Sequence, residues 1–328
     1  MNINSERLTA EEVSKNSEVI NKMKAEMGKV FFGHNEVIDS LMRALLCDNH
    51  VLLEGVPGIA KTLVVKTLAK VSGCTSNRIQ FTVDLLPTDI VGLTTYEPGK
   101  GFEIMKGPIF SNFIIADEIN RSPPKTQSAM LEAMQERQVS IGKKTFTLPH
   151  PFFVMATQNP LETEGVYTLP EAQVDRFIFK VVYGYPDENA EKHIMEANTT
   201  FKKFEDIDIR AVVTPQKIEE MQKLTHKIYL DEKIKQYIME IIKKTRNKDF
   251  KYGEYIELGG SPRASIFLYI ASKAEALLQG RNYVIPQDVD NIAFDVLRHR
   301  VILSYRAQAE GITPEKIIQE ILNNAKVA

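Results

Sequence analysis

The segment HVLLEGVPGIAKT, residues 50–62, is the most informative stretch of the sequence about its fold class. It opens with a short apolar run, His50 to Glu54, and a helical stretch follows from Thr62 to Val71. The loop between them fits the pattern G-x-x-x-x-G-K-[ST], with Ala60 at the place of the second glycine. Alanine suits that place if the backbone there has a negative φ. A strand, a glycine-bearing loop and a helix in this order predict a site for phosphate groups.

The loop residues have distinct predicted roles. Backbone N–H groups of the loop and of the helix N-terminus face the phosphates. Lys61 reaches the β- and γ-phosphates, and Thr62 offers its hydroxyl to Mg²⁺. A chance turn before a helix is the competing interpretation, which the preceding strand and the following helix disfavour. The predicted nucleotide-binding residues of this segment are Gly55, Val56, Pro57, Gly58, Ile59, Ala60, Lys61, Thr62 and Leu63.

Further apolar runs alternate with helical stretches along the first half of the chain. This alternation predicts an α/β fold, a P-loop core whose parallel sheet has helices on both faces. Two hairpins interrupt it, with turns at residues 98–101 and 142–144. The further predicted strands are Ile79–Val83, Phe113–Ala116, Phe152–Ala156 and Phe177–Val182.

The second half of the chain is predicted to be helical. Three helices are announced by a capping hydroxyl followed by proline, at Thr214-Pro215, Ser261-Pro262 and Thr313-Pro314. We therefore expect two domains. Residues 1–186 form the α/β nucleotide-binding domain, which includes an N-terminal helix, and residues 187–328 form an all-α domain.

Composition and charge narrow the functional classes. The 328 residues carry a formal net charge of −2, which argues against a broad surface for nucleic acid or anionic lipid. The N-terminal residues lack an apolar signal segment, and no apolar run reaches the ~20 residues that span a bilayer. We therefore expect a cytoplasmic protein without membrane insertion. Cys47 and Cys74 lack metal-ligand spacing and are expected to be idle thiols.

Polar residues follow two of the predicted core strands. Asp117 and Glu118 end the run from Phe113, where ligands bind at the carboxyl edge of a parallel sheet. Asp117 is placed to hold Mg²⁺, and Glu118 to act as a general base on the attacking water. Asn159, after the next strand, could orient that water or touch the γ-phosphate. The alternatives are a loop start that caps a helix and a turn asparagine before proline.

Two arginines lie at predicted element boundaries. Arg176 stands in Asp-Arg-Phe at residues 175–177, and Arg263 stands in Ser-Pro-Arg at residues 261–263. A guanidinium can spread two or more hydrogen bonds over one phosphate and keeps its charge. For either arginine alone, a solvated surface position is the better interpretation, so only the whole set of motifs supports a catalytic role.

The motifs together resemble those of the AAA+ superfamily and, within it, of the MoxR ATPases. The resemblance runs in order over most of the chain, from about residue 30 to residue 311. The first hairpin resembles the helix-2 insert that MoxR proteins share with magnesium chelatase motor subunits and MCM-type helicases. The landmarks are VFFGHNEVI (30–38), HVLLEGVPGIAKT (50–62), IIADEINRSPPKTQSAMLEAMQERQV (114–139), ATQNP (156–160), LPEAQVDRF (169–177) and SPRA (261–264).

The resemblance implies a role for each matching position. It makes Lys61 and Thr62 part of Walker A, Asp117 and Glu118 Walker B, and Asn159 sensor 1. It also makes Arg176 an arginine finger that serves the nucleotide of the neighbouring subunit, and Arg263 the sensor 2 arginine of a helical lid. Residues Gly33 and His34 lie where related proteins wrap adenine. Ala60 is compatible with the MoxR pattern. The matching catalytic residues are Glu118, Asn159, Arg176 and Arg263, with Asp117 and Thr62 for the metal.

The resemblance also implies an assembly and an activity. We expect a homo-oligomeric ring, a hexamer, that hydrolyses ATP with Mg²⁺ and remodels or matures a protein complex. Family members often act beside proteins with von Willebrand factor A domains, which makes such a protein an expected partner. Arg121 and Arg137 are further candidates for the interface between subunits, without an assigned position.

Other functional classes remain open. A nucleic-acid motor of the MCM type is one, because the hairpin tips carry Lys100, Lys143 and Lys144, although solvated turn lysines explain these better. A motor subunit of a metal chelatase is another. A nucleotide switch or small-molecule kinase is disfavoured, since it needs neither the second carboxylate nor a helical lid. Residues 298–300, Arg-His-Arg, have no assigned role; we expect them on a solvent-facing helix surface, with an interface strip as the alternative.

Overall fold

The computed structural model describes residues 8–31, 33–55, 61–159, 165–185, 188–198, 207–247 and 249–326. These residues form a five-stranded parallel sheet whose strand order is β2-β5-β8-β1-β9. The strands are β1 (Val51–Gly55), β2 (Ser76–Gln80), β5 (Phe113–Asp117), β8 (Phe153–Gln158) and β9 (Phe179–Tyr183).

The central strands are apolar on both sides because both faces of the sheet are covered. Successive residues of a strand point to opposite faces. In β5, Phe113 and Ile115 belong to one hydrophobic core, while Ile114 and Ala116 belong to the other. All four side chains are fully buried. The parallel sheet, covered on both faces, confirms the α/β architecture that the near-continuous apolar runs predict.

The helices follow the predicted pattern closely. Thr9 caps the first of them through a capping box with Glu12. The helices are α1 (Ala10–Gly28), α2 (Asn35–Leu46), α3 (Lys61–Val71), α4 (Pro87–Val91), α5 (Pro124–Glu136), α6 (Glu171–Val174), α7 (Glu188–Asn198), α8 (Pro215–Lys227), α9 (Glu232–Arg246), α10 (Pro262–Leu278), α11 (Pro286–Leu297), α12 (Tyr305–Ala309) and α13 (Pro314–Asn324).

Each predicted hydroxyl-proline cap begins a helix of the second half. Thr214, Ser261 and Thr313 accept a backbone N–H of the first turn of α8, α10 and α13, and the following proline opens each helix. In α11, Asp288 instead accepts the backbone N–H of Ile285 at 2.8 Å. A small antiparallel ladder, β10 (Ile256–Leu258) with β11 (Ile302–Leu303), was not predicted.

Both predicted hairpins are present. The first joins β3 (Gly92–Glu97) to β4 (Gly101–Lys106), and the second joins β6 (Gln138–Ile141) to β7 (Lys144–Thr147). At the first tip, the rings of Tyr96 and Phe102 pack with their centroids 5.3 Å apart. Lys100 pairs there with Glu97, at 3.0 Å.

The N-terminal helices connect the sheet to the helices of the second half. Helices α1 and α2 both contact α10. The buried Arg43–Glu275 ion pair, 2.6 Å long, joins α2 to α10. The division at residues 186 and 187 stays a prediction, because one hydrophobic core extends through both parts. Each helix within the described part of the chain is too short or too polar to span a bilayer.

The expected solvent-facing position of the Arg-His-Arg motif is wrong. Helix α11 ends at Leu297, so residues 298–300 form a turn rather than a helix face. His299 and Arg300 are 7% and 4% exposed, and the Arg298 side chain is 13% exposed. The turn packs against β9 and the segment that leads into it, whose carbonyl oxygens accept its hydrogen bonds.

Candidate active site

The carboxyl edge of the sheet brings the predicted Walker residues together. Strands β1, β5 and β8 lie side by side and end at Gly55, Asp117 and Gln158. Helix α3 begins with Lys61 and Thr62 directly after the loop that leaves β1. The loop residues Val56, Pro57, Gly58, Ile59 and Ala60 lie outside the described residues, and of Lys61 only the backbone is described. Their nucleotide contacts, and those of Leu63, stay predictions.

Thr157 of β8 holds the acidic pair in place. Its hydroxyl donates to Asp117 Oδ1 at 2.6 Å and accepts the backbone N–H of Glu118 at 2.9 Å. Thr157 is 1% exposed, so these bonds are shielded from water. Glu118 has a left-handed backbone, with φ of 56°, which costs a non-glycine residue on the order of 1–2 kcal/mol. The Thr157 bond therefore fixes Glu118 in a strained backbone conformation directly after the strand.

The edge strand β2 supplies partners to both carboxylates. Arg78 donates to Asp117 Oδ2 through Nε at 2.9 Å and through Nη2 at 2.6 Å. Gln80 donates to Glu118 Oε2 at 2.8 Å, and Arg121 Nε lies 3.2 Å from the same oxygen. Each carboxylate is thus oriented by charged or amide donors from the neighbouring strand or turn. Arg121, expected at a subunit interface, contacts the catalytic candidate within its own chain.

The donor set fits a magnesium ion. Mg²⁺ binds oxygen ligands and usually takes only one or two of them from carboxylates. Asp117 at the end of β5 and the hydroxyl of Thr62 at the start of α3 are oxygen donors on adjacent elements. Asn159 follows β8 beside them and is 8% exposed. The roles of these residues at a metal-bound triphosphate stay predictions.

A cleft of about 990 Å³ lies beside this edge of the sheet. Gly33 and His34, which the resemblance assigns to the adenine region, line it together with Tyr185 and residues of α11 and α13. Their contact with adenine stays a prediction. Arg298 lines the same cleft and donates to Lys180 O at 2.7 Å. The cleft is therefore bounded by both halves of the chain, so a base bound there would contact the sheet and the helices together.

Arg176 and Arg263 lie at the opposite, amino edge of the sheet. The backbone N–H of Ile178, two residues after Arg176, donates to His50 O at 3.0 Å, and His50 directly precedes β1. The five residues of β1 separate this edge from Gly55 by about 16 Å, at ~3.3 Å per residue. Arg263 belongs to the same edge, because its Nη1 lies 3.5 Å from Asp175 Oδ2.

A pocket of about 260 Å³ at the amino edge is rich in arginine. Its lining residues are Asp48, Asn49, His50, Met134, Gln135, Arg137, Arg176 and Arg263. His50 accepts the backbone N–H of Val154 at Nδ1, so its Nε2 carries the proton toward Met134 O. Burial and the charge of Arg137 hold the pKa of His50 well below 6.5, so the imidazole is neutral. The positive charge of the pocket therefore comes from its arginines.

Arg137, the other expected interface residue, is engaged inside its own chain. Its guanidinium donates to the carbonyl oxygens of Phe152 and Asp48, and Nη2 lies 3.2 Å from the Asp48 carboxylate. Burial lowers the pKa of Arg137, and the same burial raises the pKa of Asp48. Arg137 therefore ties the end of α5 to β8 and the start of β1, and contributes to the pocket as a fixed charge.

Several residues contact the candidate catalytic residues although none of them was predicted to have a role in the site. They are Arg78, Gln80, Thr157, Asp175, Ser261 and Arg300, whose contacts join positions far apart in the chain. Gln80 and Arg78 alternate on β2, which is a weak signal of one polar face at a sheet edge. For Asp175 and Arg300, 125 residues apart, no local pattern could have identified the pairing.

Comparisons with known proteins agree with this architecture. The family model described as "ATPase family associated with various cellular activities (AAA)" matches residues 50–179. A second model, the AAA lid domain, matches residues 253–321. The first includes the Walker segments and Arg176, and the second includes Arg263 and the Arg-His-Arg motif.

Individual relatives extend the similarity over nearly the whole chain. Chaperone MoxR1 of Mycobacterium tuberculosis is 44% identical over 313 residues, which cover 90% of this chain and 79% of the relative. YeaC of Bacillus subtilis, described as an uncharacterized protein, is 44% identical, and the matching region covers 95% of its length. A crystal structure from Cytophaga hutchinsonii, of a protein assigned as an ATPase, superimposes with a TM-score of 0.91 at 44% identity and covers 97% of this chain. The chain therefore belongs to the MoxR family of AAA+ ATPases and is an ATP-hydrolysing enzyme.

Proposed function

We propose that the chain works as a ring-shaped ATPase. In this ring each nucleotide is bound by one subunit, and its active site is completed by the next subunit. The observation that carries this proposal is the location of Arg176. It lies at the amino edge of the sheet, about 16 Å from the edge that carries Asp117 and Glu118. An arginine side chain cannot cover that separation within one subunit. A head-to-tail ring brings the amino edge of one subunit against the carboxyl edge of its neighbour.

In this proposal the residues of one subunit prepare the attacking water. Residues 55–63 hold the triphosphate of ATP, and Glu118 takes a proton from the water as its oxygen attacks the γ-phosphorus. The bond from the γ-phosphorus to the bridging oxygen breaks, which gives ADP and phosphate. Asn159 orients the water. When bound with ATP, Mg²⁺ neutralises charge on the β- and γ-phosphates, and Asp117 and Thr62 are the residues that would hold it.

The neighbouring subunit supplies positive charge to the γ-phosphate. Arg176 and Arg263 line one pocket, where the fixed charge of Arg137 supports the same field. Arginine is suited to this task because its planar fork binds two phosphate oxygens at once. Arg263, assigned from the resemblance to sensor 2, would therefore act beside Arg176 on the neighbour's nucleotide rather than on its own.

The work done by the ring is the remodelling or maturation of a protein complex. One relative carries the name chaperone, and the resemblance associates the family with proteins that contain von Willebrand factor A domains. We propose a partner of this kind and a hexameric, cytoplasmic assembly. Capture with the Glu118→Gln variant, which should hold ATP without hydrolysing it, would identify the partner.

The direct test of the proposal is the Arg176→Ala variant. We expect it to bind ATP within about twofold of the wild type and to lose at least about a hundredfold in turnover, because an arginine finger contributes 10³–10⁵ to the rate. Arg210→Ala is the matched control, since Arg210 pairs with Asp208 on an exposed surface. Turnover of Arg176→Ala within a few fold of the control would refute the assignment.

A further inference from the structure

The Arg-His-Arg turn after α11 ends in an arginine with an unusually complete set of partners. The side chain of Arg300 is 1% exposed. Its Nε donates to Asp175 Oδ1 at 2.7 Å, and its Nη2 donates to Asp175 O at 2.8 Å and to Phe177 O at 2.6 Å. Its Nη1 donates to Ile178 O at 3.2 Å and to Val296 O. All three guanidinium nitrogens thus fix the segment that carries Arg176.

The carboxylate of Asp175 contacts three side chains of the helical half, one from the turn after α11 and two from the start of α10. Besides Arg300, it accepts the hydroxyl of Ser261 at 3.0 Å and lies 3.5 Å from Arg263 Nη1. Ser261 is the N-cap of α10 and accepts the backbone N–H of Arg263 at 3.1 Å. One carboxylate therefore sets the position of the residue next to it, Arg176, and of the helix start that carries Arg263.

The two arginine contacts of Asp175 differ: the contact with Arg300 is fixed, and the contact with Arg263 can be released. The Arg300 pair is short and buried, and burial lowers the pKa of Arg300 to about 10, so the group is still charged at neutral pH. The Arg263 contact is longer, and the Arg263 side chain is 42% exposed. Removing the partner of a buried charge is costly, whereas an exposed charge exchanges partners at little cost. Arg263 can therefore turn to a phosphate while Arg300 keeps Asp175 in place.

We propose that Asp175 and Arg300 are positioning residues that hold Arg176 and Arg263 side by side for the nucleotide of the neighbouring subunit. This inference depends on the proposed function, because it assigns the two residues to the donor side of the interface. A defect in either residue should leave the chain's own nucleotide site intact and impair hydrolysis in the adjoining subunit.

The test uses Asp175→Asn, with Asp288→Asn as its matched control. Asp288 forms a similarly buried pair with Arg281 but lies at the start of α11, away from the amino edge. We expect Asp175→Asn to bind ATP within about twofold of the wild type and to lose at least about tenfold in turnover. Asp288→Asn should lose less than about twofold. A turnover of Asp175→Asn equal to that of Asp288→Asn would overturn the proposal.

Mixing Asp175→Asn with Glu118→Gln separates a positioning role from structural damage. The Glu118→Gln subunits cannot hydrolyse ATP but carry intact arginines. In a randomly mixed head-to-tail ring they should restore about a quarter of the wild-type rate per subunit, since half of the subunits are competent and half of their neighbours are complete. A mixed sample no more active than its two components would overturn the proposal.

Mixing Arg176→Ala with Glu118→Gln identifies which claim has failed. If this pair restores activity and the Asp175→Asn pair does not, the positioning role falls while the proposed function stands. If neither pair restores activity, both the proposed function and the positioning role are refuted. Should Asp175→Asn fail to assemble, Arg300→Lys in the same mixture decides the question, because lysine keeps the charge but loses the fork that binds residues 175–178.

Discussion

Replacing Thr157 by valine tests whether the buried hydroxyl holds the catalytic pair in its working geometry. Valine keeps the shape of threonine and has a methyl group in place of the hydroxyl. The change deletes the 2.6 Å bond to Asp117 and leaves the backbone N–H of Glu118 without the oxygen that it now donates to at 2.9 Å. The strained backbone of Glu118 would then lose the contact that fixes it.

The size of the effect follows from these two bonds. A hydrogen bond to a charged group contributes about 1.5–3 kcal/mol, and an unsatisfied buried donor costs about 1–3 kcal/mol. Both carboxylates are partly exposed, so water compensates in part, and the added methyl group of valine gains apolar burial. We expect the free energy of unfolding to fall by about 2–3 kcal/mol. Turnover should fall by about 10- to 100-fold, because displacing a catalytic group by about 1 Å costs on the order of 10²-fold.

Urea unfolding and phosphate release at saturating ATP measure the two effects, with Thr225→Val as control. Thr225 is fully buried, but its hydroxyl donates only to Met221 O within α8. Its replacement should cost less than about 1 kcal/mol and leave turnover unchanged, since no donor loses its partner. Equal losses in the Thr157→Val and Thr225→Val variants would refute the reasoning, as would full turnover in Thr157→Val.

Two other predictions follow from the charged groups. The buried His50 and His299 have pKa values well below 6.5 because burial disfavours their charged forms, so both are neutral when folded. Because the unfolded chain binds protons at these histidines below about pH 6.5 and the folded chain does not, the free energy of unfolding should fall as the pH drops below 6.5, by about 1.4 kcal/mol per pH unit for each histidine. Urea unfolding between pH 7.5 and 5.5 should show this decline, and the decline should be smaller in the His299→Gln variant. A free energy of unfolding that does not change over this pH range would contradict the prediction. Replacing Arg78 by alanine removes the cation that pairs with Asp117, so the Mg²⁺ concentration that gives half-maximal hydrolysis should fall severalfold. An unchanged or higher requirement for Mg²⁺ would show that Arg78 does not compete there.

The apolar pattern predicts the sheet well where strands are buried on both faces. The interior strand β5 agrees with its predicted range to within one residue, because every position faces a core. The edge strand β2 is displaced from the predicted Ile79–Val83 to Ser76–Gln80, because an edge strand needs few apolar residues. Its exposed residues Asn77 and Arg78 carried no strand signal.

The site is predictable where its chemistry lies in consecutive residues and is hidden where it depends on tertiary contacts. Asp117, Glu118 and Asn159 follow apolar strands and were found for that reason. Thr157 directly follows the predicted strand Phe152–Ala156 and was assigned no role, although its hydroxyl joins two catalytic candidates. Arg300 resembled a solvated surface residue, because a charged residue near a helix end usually is one. Its burial against residue 175 becomes visible only when the two halves of the chain are packed together.

The ATPase rate per subunit across a dilution series measures whether each nucleotide site is completed by a neighbouring subunit. Sedimentation of the same samples measures how much of the protein is assembled. We predict that the rate per subunit rises in proportion to the assembled fraction and is very low for the monomer. A rate per subunit that stays constant down to concentrations at which only monomer sediments would contradict the claim.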